Sequence, residues 1–178
     1  MARDYVLDSY ALLAYLEAEP GGDRVQELLE AAMEGKCRLY LCVVNLGEVM
    51  YIVERGRGLP KAQEALARID ELPVEVVDVN LTLTLAAAHL KAQWPLAYAD
   101  CFAAALSQAK DAPLVTGDPE FGKVAPGSTL KLEWLPKREG RRRGARPSGW
   151  TGRPIQLTRR EGSRLKDGTL NVQTQAET

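Results

Sequence analysis

Histidine is almost missing from this chain: His89 is the only one in 178 residues. A single imidazole removes paired-histidine acid–base catalysis and HExxH metal sites, and its place beside the apolar seam of a helix-like stretch gives it a surface role. Cysteine is scarce as well. Cys37, Cys42 and Cys101 are an odd set with no CxxC spacing, so neither a disulfide framework nor a thiolate metal cluster is indicated, and they read as reduced structural thiols. Every apolar stretch is broken by charge well short of the ~20 residues a membrane span needs. The opening residues MARDYVLD lack a secretory apolar region. The expectation is a soluble, cytoplasmic protein with no membrane partner.

What is present is enough apolar side chain, 46% of residues, to build one ordinary core. The net charge of −1 conceals an uneven distribution. Residues 1–136 hold 12 Lys and Arg against 20 Asp and Glu, a balance of −8, whereas residues 137–178 hold 11 against 4, a balance of +7. Beyond Pro136 apolar periodicity stops, Arg, Gly, Ser, Thr and Pro dominate, and Arg141, Arg142 and Arg143 form the densest charge run. Such a segment cannot offset the entropy of ordering itself. It is therefore expected to be a disordered basic tail, either tracking phosphates or simply solvated, behind a folded domain of residues 1–136.

Within that domain, strands and helices alternate. Tyr5, Val6 and Leu7 form a short apolar run ended by Asp8, after which 9–16 has helical composition. Val25, Leu28, Leu29, Ala32 and Met33 have the spacing of an amphipathic helix closed by Gly35. Residues 39–44 are continuously apolar, as in a strand buried on both faces, and Leu46, Val49, Met50 and Val53 then resume helical spacing until Gly56 and Gly58 break it. Further helices are expected over 62–72, from Leu83 to Trp94, and over 98–109, with strands at 74–79, 113–116 and 130–135. The predicted class is α/β: a three-layer α/β/α fold around a mostly parallel sheet of about five strands.

Four acids fall where a strand ends or a helix begins: Asp8, Glu48, Asp100 and Asp118. Each also has a structural explanation. Asp8 can cap the helix that follows it, Glu48 can close a capping box with Asn45, Asp100 can complement a helix dipole, and Asp118 can stabilise a turn. Those separate explanations leave unanswered why all four belong to the same side of the predicted sheet. Parallel α/β sheets gather their ligand crevice at the carboxyl ends of the strands, so the four can converge. Converging carboxylates repel one another until a cation neutralises them, and all-oxygen ligation favours Mg²⁺ or Mn²⁺.

The stretches YVLDSYALLAYL, VVNLGEVMYIVERG, AYADCFAAALSQAK and LVTGDPEFGKV resemble, in order and spacing, the four acidic motifs of the PIN-domain ribonucleases, and look most like the VapC-type toxins of toxin–antitoxin pairs. The resemblance covers residues 1 to about 136. It implies a PIN-like fold and a metal-dependent endoribonuclease in which Asp8, Glu48, Asp100 and Asp118 hold Mg²⁺ or Mn²⁺. It also implies RNA as substrate, a cognate antitoxin as partner and a homodimer. Thr116 matches a position that supports such a site through its hydroxyl, or is a strand-end residue chosen for β propensity. A cation held there would activate water for in-line attack on a phosphodiester, chemistry that by itself permits DNA as well as RNA. Two other readings stand beside this one. A phosphotransferase with an aspartate nucleophile would need a second acid two positions after Asp8, where Tyr10 stands instead. A non-catalytic RNA-binding module would keep the fold and use the basic tail.

Overall fold

The computed structural model describes residues 3–124 and 128–136. The tail expected over 137–178 lies outside the described residues. Twelve elements follow in order: β1 (Tyr5–Leu7), α1 (Ser9–Leu16), α2 (Gly22–Met33), β2 (Leu39–Cys42), α3 (Val43–Arg57), α4 (Leu59–Asp70), β3 (Val74–Val77), α5 (Leu81–Gln93), α6 (Tyr98–Lys110), β4 (Leu114–Thr116), a short 3-10 helix (Pro119–Lys123) and β5 (Leu132–Trp134).

The five strands form one sheet in the order β3-β2-β1-β4-β5, and every neighbouring pair is parallel. β1 lies at the centre, with Leu7 registered against Leu41 on one side and Val115 on the other. From β1 the chain winds outward through β2 and β3, then returns to lay β4 against the other edge of β1. The winding direction thus reverses between β1 and β4. At such a reversal the helices leave in opposite directions and open a crevice above the strand ends.

Alternation of side chains along each strand separates two apolar layers. Leu7, Leu39, Leu41 and Val115 face α1 to α4, packing with Leu12, Leu29, Val49 and Ala65. Val6, Tyr40, Cys42 and Leu114 face the other way, onto α5 and α6, with Leu90, Trp94, Phe102 and Leu106. The helices therefore cover both faces, as predicted for a buried parallel sheet. All three cysteines are buried free thiols. His89 is exposed on α5 and Trp94 is buried.

Several boundaries differ from the sequence expectation. β2 ends at Cys42, and Val43 and Val44 already belong to α3. A continuous apolar run carries no period that distinguishes its strand part from the helix that follows. Gly56 does not break α3, which runs on to Arg57. Gly58, at φ 83, ends that helix, and α4 begins at Leu59 with Pro60 in its first turn. β3 and β5 are shorter than expected because their half-exposed residues pair only over Val74–Val77 and Leu132–Trp134.

Candidate active site

Asp8 follows β1 directly, and its extended backbone lets the carboxylate turn back over the first turn of α1. There the Ala11 amide donates to Oδ1 at 2.7 Å, an N-cap. The capping reading is thus correct, but it uses one oxygen only. The residue is 1% exposed, and Oδ2 is buried without a hydrogen-bond partner. Burial pushes the Asp8 carboxyl up to about 7; the Thr116 hydroxyl and the Ala11 amide oppose this, and Asp100 and Asp118 add to it.

Asp118 sits at the end of the neighbouring strand, β4. Its Oδ1 accepts from the Glu120 amide at 2.8 Å, capping the 3-10 helix, and its own amide donates to Thr116 Oγ1 at 3.0 Å. Thr116 is fully buried, and its hydroxyl accepts from the Asp118 amide inside the turn while favouring the ionised form of Asp8 across from it. The Asp8 and Asp118 turns are also packed directly together. A Cβ at Gly117 would lie 2.2 Å from Cε1 of Tyr10, so the tyrosine ring occupies the space that any side chain at 117 would fill.

Asp100 stands in the first turn of α6 and is 8% exposed. Burial, then the charges of Asp118, Glu48 and Glu120, push its carboxyl up to about 7, against the Ala97 backbone hydrogen bond that lowers it. Ala103, Ala104 and Ser107, small residues that follow it on α6, are all buried. Glu48 lies on α3, half-buried, and its Oε2 accepts from the Ser9 hydroxyl at 2.5 Å.

The expected capping box of Asn45 and Glu48 does not form. α3 begins two residues before Asn45, with Cys42 at its N-cap and no side-chain cap bond. Asn45 is fully buried and points between helices instead, donating through Nδ2 to Ser9 Oγ at 3.1 Å and to the Ala99 carbonyl at 3.2 Å. Sequence reasoning missed Ser9 and Glu120 and read Asn45 only as a cap. Glu120 had a legible signal, an acid two residues beyond Asp118. Ser9 and Asn45 had none, because their bonds join positions 36 residues apart.

Asp8 and Asp118 come from the ends of β1 and β4, Glu48 from the second turn of α3 and Asp100 from the first turn of α6. Asp100 senses the other acids electrostatically across these elements. Among the described residues, no three His, Cys, Asp or Glu side chains are drawn together into a ready-made metal cluster. Each of the four acids accepts a structural hydrogen bond, Asp8 from Ala11, Glu48 from Ser9, Asp118 from Glu120 and Asp100 from the Ala97 backbone. A divalent ion nevertheless fits the chemistry: every donor is oxygen, and the bare Oδ2 of Asp8 is a buried acceptor that a cation would satisfy.

A family model for the PIN domain matches residues 5–126. The chain belongs to the PIN-domain family. The matched span of this PIN domain includes all four acids and Thr116. Among solved structures, it is similar to the VapBC2 complex of Rickettsia felis bound to a DNA fragment from its promoter: TM-score 0.61, 20% identity, 75% of this chain and 99% of the other. The sarcin–ricin loop cleaving toxin VapC20 of Mycobacterium tuberculosis aligns with a TM-score of 0.55 and 17% identity, over 66% of this chain and 92% of that one. DNA-bound VapBC from Salmonella typhimurium gives a TM-score of 0.55 and 17% identity, over 74% and 97%. At these identities the likeness is one of fold. No curated protein matches the sequence.

Proposed function

We propose that this PIN domain is a metal-dependent endoribonuclease, the toxin of a toxin–antitoxin pair, with Asp8, Glu48, Asp100 and Asp118 as its catalytic and metal-binding acids. The observation that carries this reading is the burial of Asp8 and Asp100, with Asp8 Oδ2 left without a hydrogen-bond partner, in a chain whose PIN-domain match takes in all four acids. Acids that serve only as helix caps have no need to share a site where each makes its neighbours harder to ionise.

Mg²⁺ or Mn²⁺, when bound, supplies a Lewis acid that activates water and neutralises charge building up during in-line displacement at phosphorus. The chain's own groups prepare for it. The Ala11 amide holds Oδ1 of Asp8, which leaves Oδ2 as the oxygen that would face a cation, and burial makes this carboxyl harder to ionise until one binds. Burial and the neighbouring acids make the Asp100 carboxyl harder to ionise in the same way. Thr116 orients the Asp118 turn through the amide bond, and Glu48 is held by Ser9.

Single-stranded or loop RNA is the proposed substrate class, and one neighbour is described as cleaving the sarcin–ricin loop. Several neighbours are toxin–antitoxin complexes, which supports a cognate antitoxin as partner. Homodimerisation and a cytoplasmic location belong to the same proposal. Expression of the wild type should arrest growth, and the purified protein should cut RNA in Mg²⁺ or Mn²⁺ but not in EDTA. Asp100→Asn should do neither. Equal growth with both forms and intact RNA in either metal would refute the reading.

A further inference from the structure

The Ser9 hydroxyl has one proton to give and two lone pairs to fill. Asn45 Nδ2 fills one of them from 3.1 Å. Two acceptors compete for the proton: Glu48 Oε2 at 2.5 Å and the Asn45 backbone carbonyl at 3.2 Å. The shorter contact, to a carboxylate, takes it. The orientation of the Asn45 amide is fixed independently, because only its nitrogen can serve the Ala99 carbonyl at 3.2 Å. Its oxygen is then left buried and bare.

A bare buried amide oxygen is unfavourable. An apolar side chain would fill the same place between α1, α3 and α6 without that cost. What Asn45 adds is two hydrogen bonds of defined direction, and each point they reach adjoins an acid of the site. Ser9 follows Asp8, Ala99 precedes Asp100, and Glu48 stands one helical turn beyond Asn45 itself.

We propose that Asn45 and Ser9 are positioning residues for the carboxylate site: Asn45, anchored to α6 through the Ala99 carbonyl, orients the Ser9 hydroxyl so that its proton holds Glu48 Oε2 within electrostatic reach of Asp100. The hydrogen-bond relay stands on the geometry alone, while its consequence for metal binding rests on the nuclease reading. Groups that orient a metal ligand from behind typically affect affinity roughly 10–100-fold.

The test has two arms on the full-length protein. In the metal-free protein, the ¹³C resonance of the Glu48 carboxyl carbon is recorded for the wild type, Ser9→Ala, Asn45→Ala and the double variant. Val53→Ala, a core truncation on the same helix, controls for general loosening of α3. The Glu48 resonance is expected to move in both single variants and to move little further in the double, since the two residues act in series. It should stay in place in Val53→Ala. In the second arm, calorimetric titration with Mn²⁺ should show affinity lowered roughly 10–100-fold in Ser9→Ala and Asn45→Ala, with Val53→Ala near the wild type. A Glu48 resonance unmoved in Ser9→Ala, or moved equally in Val53→Ala, overturns the relay. A wild type that binds no Mn²⁺ while the Glu48 resonance responds as expected overturns the metal-dependent nuclease and leaves the relay intact.

Discussion

Asp8 shows why a capping residue and a catalytic candidate need not be rival descriptions of one side chain. Its Oδ1 completes α1, and its Oδ2 is left buried without a donor. Asparagine caps a helix as well as aspartate does, so Asp8→Asn keeps the first function while removing the charge. The carboxyl is pushed from 3.8 to about 7, and each pKa unit corresponds to about 1.4 kcal/mol, so forced ionisation costs at most about 4 kcal/mol at pH 8. Asp8→Asn should therefore be more stable than the wild type in EDTA at pH 8, by roughly 1–4 kcal/mol in urea unfolding, while RNA cleavage disappears. An unchanged or lower stability would mean that Asp8 is ionised at no cost in its native surroundings. The four acids could be picked out in the sequence as candidates because each falls near the end of a predicted strand or the start of a predicted helix, although in the fold only Asp8 and Asp118 stand at strand-to-helix junctions. Asn45 was legible only as a local cap, since a residue's partners 36 and 54 positions away leave no trace in local spacing.

Among the elements, the sites of closest approach are set by glycines whose missing side chains are already replaced by neighbours. Gly22 opens α2 against the end of α1, where a Cβ would lie 2.6 Å from the Ala14 carbonyl oxygen. Backbone cannot move aside as a side chain can, so Gly22→Ala should cost roughly 1–3 kcal/mol in urea unfolding. It should leave cleavage by the folded fraction near normal, because the contact at Ala14 lies at the far end of α1 from Asp8 and Ser9. Gly117→Ala is expected to behave differently. The Tyr10 ring must move off the turn that carries Asp118, so cleavage should fall by about tenfold or more for the folded protein, the scale on which small displacements of reacting groups act. Equal losses of activity per folded molecule in the two variants would remove the distinction. The alternation of strands and helices was readable because parallel strands buried on both faces are short apolar runs and their covering helices are amphipathic. The join of β2 to α3 was not readable, since Cys42, Val43 and Val44 are apolar on both sides of the boundary. The order β3-β2-β1-β4-β5 could be anticipated only as a parallel sheet, because pairing depends on contacts that no local period records.

At the scale of the whole molecule, the reversal of winding between β1 and β4 sets Asp8 and Asp118 at the ends of adjacent strands, where with Glu48 and Asp100 they are proposed to act as one unit. That unit lies in a domain whose balance over residues 1–136 is already −8. Asp8 and Asp100 are raised from 3.8 to about 7, so between these values the folded protein holds protons that the unfolded chain has released. The stability these two groups contribute is complete below about pH 4 and is lost as pH rises through 7. In EDTA, the melting temperature should therefore decline from pH 5 to pH 8. A divalent ion reverses the sign of the effect, because it binds the deprotonated carboxylates and competes with their protons. At pH 8, Mn²⁺ at a hundred times its dissociation constant should stabilise by about 2.7 kcal/mol, raising the melting temperature by roughly 5–10 °C. At pH 5 the same ion should have little effect, since both carboxyls are still protonated. Calorimetric melts at the two pH values, with Mn²⁺ and with EDTA, decide the matter. Equal Mn²⁺ shifts at pH 5 and pH 8, or a metal-free melting temperature that does not fall over this interval, would show that the acids are not coupled as one site.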